Sequence, residues 1–152
     1  MREPMRVAFV CLHGSAKSLI AAEHMNGLAR SCGVAVEATT SGPEPDAEVP
    51  ANVIDGLLTR GIDVRRRIPE RVTGETLARA GHIVSFGVDL KDLVAADRAV
   101  EHWDDCPAVS DDFDTAYAFI TGQVGQLFER LCGDGPVPDG ASSRPVAPRS
   151  GS

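Results

Sequence analysis

The sequence predicts an α/β fold, a single domain built on an open four-stranded parallel sheet with helices on both faces. Two observations carry this reading. Strand candidates (Val7-Ala8-Phe9-Val10, Gly33 to Thr39, His82-Ile83-Val84-Ser85-Phe86, Arg98 to Trp103) alternate with segments of helical spacing. Strands separated by helices pair in parallel through right-handed crossovers. The 152 residues are enough for one domain with a real core.

The first run has no polar interruption and ends at Cys11, and after a short loop the chain becomes helical from Ser18. Ile20, Ala21, Met25, Leu28 and Ala29 form the apolar stripe of this helix, which stops before Gly33. After the second strand, Thr40-Ser41-Gly42-Pro43-Glu44-Pro45-Asp46 is a loop, because a glycine and two prolines forbid continuation. Pro50 opens the next helix where its missing N–H costs nothing, with Val53, Ile54, Leu57 and Leu58 on one face and Gly61 as the stop. Thr73 ahead of Glu75 reads as a cap for a short helix over Leu77 to Ala80. Phe113 through Leu131 is the last helix, its apolar residues recurring every three or four positions as core. Residues 1–132 form the folded domain, and residues 133–152, dominated by Gly, Pro, Ser and Ala, read as a flexible tail.

A net charge of −7, from 22 acidic and 15 basic residues, opposes general affinity for nucleic acid or an anionic membrane but allows a local basic pocket. No run approaches the roughly 18 apolar residues of a membrane span, so a cytoplasmic protein is expected. Cys11, Cys32, Cys106 and Cys132 form no CxxC pair and have no metal spacing with the histidines. Free thiols, no metal and no cofactor are the expectation.

Chemistry concentrates in Cys11-Leu12-His13-Gly14-Ser15-Ala16-Lys17-Ser18. Successive N–H groups of a loop between strand and helix can converge on one point, and the helix adds unpaired donors and the positive end of its dipole, so an oxyanion fits there. Gly14, Ser15 and Ala16 are small enough to let the backbone approach a ligand. That field also favours a cysteine thiolate, the nucleophilic form. Lys17 brings a full positive charge and Ser18 a hydroxyl able to donate to the thiolate. The alternative is an ordinary strand whose terminal cysteine is buried.

The pattern Cys-x5-Lys-Ser resembles the Cys-x5-Arg-Ser loop of the low-molecular-weight protein tyrosine phosphatase superfamily, which includes the thiol-dependent arsenate reductases, over about residues 5 to 131. The resemblance implies that fold and a cysteine-dependent phosphomonoesterase working through a Cys11 phospho-enzyme. Leu12, His13, Gly14, Ser15, Ala16 and Lys17 would hold the phosphate, and Cys11, Lys17 and Ser18 would take the catalytic positions. His13 is similar to the residue two past the cysteine in one arsenate reductase branch, and Gly14 replaces an asparagine common there. Ser41-Gly42 resembles the Ser-Ala-Gly loop beside the family's phosphate site, and Arg65-Arg66-Arg67 reads as either a solvated face or a steering patch near the mouth.

Two departures matter. Lys17 stands where the family has arginine, in a chain whose only other lysine among 15 basic residues is Lys91, which points to a selected residue. A planar fork becomes a point charge, which keeps binding better than transition-state geometry. The family's Asp-Pro acid is missing from Trp103-Asp104-Asp105-Cys106-Pro107. Asp105 is the acid candidate by position, then Asp104 and Asp111, unless these acids cap the last helix, as Asp111 and Asp112 would. Cys106 is read either as a resolving thiol for Cys11 or as a buried inert one. Three functions follow: a slow or substrate-restricted phosphatase, an arsenate reductase using an external low-molecular-weight thiol, and a weakened module that binds phosphate or a phosphorylated small molecule or protein.

Overall fold

The computed structural model describes residues 4–133; the predicted tail, Gly133 apart, lies outside the described residues. Four strands, β1 (Met5–Val10), β2 (Val36–Ser41), β3 (His82–Ser85) and β4 (Glu101–His102), form one sheet in the order β2-β1-β3-β4. All three pairings are parallel, with Val7 opposite Ala38 and His82, and Val10 opposite Ser41 and Ser85. Helices α1 (Lys17–Cys32), α2 (Ala51–Leu58), α3 (Gly74–Arg79) and α4 (Phe113–Gly133) complete the fold. None of them is long and apolar enough to cross a membrane.

The alternation of β1 divides the core in two. Val7, Phe9 and Cys11 face a large cluster with Leu19, Met25, Ile120 and Leu127 of α1 and α4, while Ala8 and Val10 face a smaller one with Leu77 of α3 and Ile83. Side chains two apart on a strand share a face, so the packing that buries Phe9 carries Cys11 to the α1 and α4 side. The sheet reverses its winding between β1 and β3. Ligands of open α/β sheets bind outside the strand C-termini at that point, which is where Cys11 stands.

Two strands differ from the sequence reading. β2 begins at Val36 rather than Gly33, because Gly33, with φ +68°, ends α1 in the left-handed conformation and donates its N–H to Ala29 O. It runs on through Ser41, since Phe9 and Val10 still pair with Thr40 and Ser41. β4 is cut to two residues. Ahead of it, the Arg98 guanidinium donates to the carbonyls of Leu77 and Ala80 at the end of α3, holding the chain off the sheet edge. The caps follow the sequence reading: Thr73 accepts from Thr76 N at the start of α3, and Asp112 accepts from Thr115 N and Oγ1 at the start of α4.

So short an edge strand needs another tie. Glu101 supplies it, accepting from His82 Nε2 at 2.8 Å, Trp103 Nε1 at 2.7 Å and Arg130 Nη2 at 2.8 Å. β3, β4 and α4 thereby meet at one carboxylate, and Trp103 is held against Phe86 and Phe9, with centroids 5.4 and 5.9 Å away. Burial alone would raise the Glu101 pKa; the hydrogen bonds from Arg130, Trp103 and His82 outweigh it and bring the value from 4.5 down to about 2. Replacing Glu101 by Gln should cost about 1–3 kcal/mol in urea unfolding at neutral pH, because three donors lose a charged acceptor. A carboxylate whose folded pKa is depressed stabilises fully above its unfolded value. The gap between wild type and Glu101→Gln should therefore persist at neutral pH and close as pH falls from 4.5 toward 2.

Candidate active site

The loop between β1 and α1 is held by its carbonyls. Leu12 O accepts from Glu44 N at 2.9 Å, His13 O from Asp46 N at 3.3 Å, and Gly14 O from Thr40 Oγ1 at 3.2 Å. Ala16 O accepts from Ile20 N inside the first turn of α1. The end of β2 and the segment after it thus take up these acceptors of the loop. The donors are left over: among the described residues, no carbonyl or side chain accepts from the N–H of Leu12, His13, Gly14, Ser15 or Ala16. Helix α1 adds more, since its N-cap Ala16 has no capping side chain and its first turn carries no acid. An array of free N–H groups at a helix start is an anion cradle.

Glycines make the seam between the two segments possible. Gly14 has φ +63°, and a Cβ there would stand 2.8 Å from Gly42 N and from Ser41 C. A Cβ on Gly42 would stand 2.3 Å from Cys11 O. A side chain at position 14 would press on the Ser41-Gly42 backbone. Gly42 is itself pinned between Glu70 O and Val72 N, so the seam is backed by a third segment. Ser41 gives its carbonyl to Cys11 N at 3.2 Å, while its own buried Oγ has no partner among the described residues.

Beneath the loop runs a chain of three short contacts. Cys11 Sγ lies 3.0 Å from Ser18 Oγ, Ser18 Oγ lies 2.6 Å from Thr40 Oγ1, and Thr40 donates to Gly14 O. Each of these side chains carries one proton, so in the thiol form all three bonds point one way, from Sγ–H to Gly14 O. With Cys11 ionised only two protons remain. Ser18 then donates to the thiolate, Thr40 donates to Ser18, and the Gly14 carbonyl loses its partner. Ser18 is fully buried, so water is not at hand to replace either bond.

The loop opens into a cavity of about 330 Å³. Cys11, Leu12, His13, Ser15, Ala16 and Lys17 line it; Gly14, facing Gly42, does not. Lys17 is the first residue of α1, and among the described residues no carboxylate forms an ion pair with it. Its charge is available to a ligand. Pro50, Asn52, Val53, Phe86, Ala108, Val109 and Ser110 complete the lining.

Sequence reading missed Asp46, the one carboxylate on this cavity. Its Oδ2 accepts from Ser15 Oγ at 2.6 Å, and its Oδ1 lies 3.7 Å from His13 Nδ1. His13 Nδ1 donates to Glu44 O at 2.8 Å, which fixes the proton on that nitrogen. The available signal was topological: Asp46 follows Ser41-Gly42 within a loop already placed beside the phosphate site. Asp105 is exposed and outside the cavity, as are Asp104 and Asp111. Cys106 is buried in the same cluster as Cys11; burial pushes its thiol pKa up, while Lys17 pulls it down and Cys11 adds to the rise. The arginine run is partly spent, with Arg65 on Asp63 and Arg67 on Glu23, and it does not line the cavity.

Comparison with solved structures places this geometry. YfkJ from Bacillus subtilis superimposes with a TM-score of 0.78 at 16% identity, over 89% of this chain and 99% of that one. A low molecular weight phosphotyrosine phosphatase from Vibrio cholerae gives 0.74 at 15%, over 87% and 99%. A thioredoxin-dependent arsenate reductase from Corynebacterium glutamicum gives 0.72 at 19%, over 87% and 64%. At these identities the likeness is one of fold. No curated protein sequence matches the chain. Residues 6–105, however, match the model of the low molecular weight phosphotyrosine protein phosphatases, and the chain belongs to that family.

Proposed function

We propose that the protein is a cysteine-dependent phosphomonoesterase, slow or restricted in substrate, in which Cys11 is the nucleophile. The observation that carries this reading is the set of free N–H groups from Leu12 to Ala16 around a cavity floored by Cys11 and edged by Lys17. A phosphate there has its oxygens in the donor array and its phosphorus before the sulfur. The thiolate attacks, the ester oxygen departs, and water then cleaves the S–P bond to release phosphate and regenerate Cys11. Ser18 donates to the thiolate between turnovers.

Two features support the restriction. Lys17 holds the charge of the transferring group but lacks a second in-plane donor, and loss of one oxyanion donor typically costs about 10²–10³ in rate. Asp105 is exposed and outside the cavity, so a leaving oxygen there has no placed proton donor from the loop after β4. Aryl phosphates, whose leaving groups depart unprotonated, should be turned over much faster than alkyl phosphates.

The arsenate reductase reading has one feature of its own. A buried Cys106 with a raised pKa is a poor attacking thiol, so reduction would depend on an external one. Arsenate-dependent consumption of added thiol, with no p-nitrophenyl phosphate hydrolysis, would favour it. Tight phosphate binding with no turnover of either kind would favour the binding-module reading.

Hydrolysis of p-nitrophenyl phosphate is the direct test. Wild type should turn over, Cys11→Ser should be inactive while still binding inorganic phosphate, and Lys17→Arg should be faster by about tenfold or more. Asp105→Asn should stay within about threefold of wild type, as expected of an exposed acid away from the reacting atoms. Activity surviving Cys11→Ser would overturn the reading.

A further inference from the structure

Building on the phosphate-site reading, we propose that Asp46 reads charge on the ligand, so that the site prefers small phosphate esters whose alcohol bears a positive charge. A carboxylate beside a dianion site repels the phosphate itself. Asp46 nevertheless lines the cavity, and its side chain keeps 37% of its exposure. Ser15 occupies one lone pair of Oδ2, and His13 stays at 3.7 Å with its Nδ1 proton given to Glu44. Most of the acceptor capacity of the carboxylate is therefore left open to a ligand. Lys17 and the loop N–H groups take the phosphate end, and a cation on the ester alcohol offsets the repulsion at the other.

The walls agree on shape. Phe86 is the one aromatic ring among the lining residues, and it is 6% exposed, packed edge-on against Trp103. Asn52 and Ser110 line the same cavity, whose volume of about 330 Å³ suits a compact ligand.

The test is calorimetric titration of the Cys11→Ser chain, which cannot turn ligands over, with inorganic phosphate, phosphocholine and 3,3-dimethylbutyl phosphate, the last two matching in shape and differing in charge. Phosphate should bind, and phosphocholine should bind about threefold to tenfold more tightly than its neutral isostere. Adding Asp46→Asn, which still accepts from Ser15, should abolish that preference; adding Ser15→Ala, which loosens the clip but keeps the charge, should leave it. Equal binding of the isosteres, or a preference that survives Asp46→Asn, overturns the charge-reading role and leaves the phosphate site standing. Absence of phosphate binding overturns both.

Discussion

Everything at this site depends on where the loop carbonyls go. Five peptide units in a tight turn carry five donors and five acceptors, and a loop that satisfied itself would have nothing to offer an anion. Here Leu12, His13 and Gly14 give their carbonyls to the segment from Thr40 to Asp46, and the donors stay free. The seam that permits this is glycine against glycine, Gly14 on Gly42, at distances no Cβ tolerates. Parallel pairing of β1 with β2 sets both segments down at the same end of the sheet. The free donors are thus a consequence of sheet register.

The same seam links the ionisation of Cys11 to the loop. Three contacts and three protons run from Sγ to Gly14 O in the thiol form, and removing one proton leaves the Gly14 carbonyl short. An anion in the cradle polarises the Gly14 peptide unit and its neighbours, and a thiolate at the floor reverses the hydroxyls beneath them. The two events therefore act on one peptide group from opposite sides. Thr40, a strand residue with no place in the motif, is the hinge of this arrangement, and its β-branched side chain has few rotamers with which to escape it.

How much of this was legible in the sequence follows from the range of each interaction. The strand, loop and helix around Cys11 are local, so the apolar run, the small residues and the helical stripe announce them. The alternation of β1 is also local, and in the structure it turns Cys11 to the same side as Phe9. Gly33 was misassigned because a glycine between a helix and a strand fits either one, and only the left-handed φ of +68° decides for the helix. β4 was overlong because its apolar text says nothing of Arg98 reaching the end of α3. Asp46 was invisible for a similar reason. Its role arises from a contact 31 residues apart, with Ser15, and no spacing rule reaches that far.

Lysine at position 17 becomes intelligible beside these facts. An arginine fork is most useful where two in-plane oxygens of a transferring group must be held together. Among the described residues this loop already offers five unpartnered N–H groups, so a phosphate held there would not lack donors in its ground state. What the lysine gives up falls mainly on the transition state. Asp46 shifts the balance in the same direction, since a carboxylate at the rim penalises a bare dianion and favours a ligand that brings its own compensation. Lys17 and Asp46 thus bring opposite charges to one cavity, and the proposed selectivity rests on that pair.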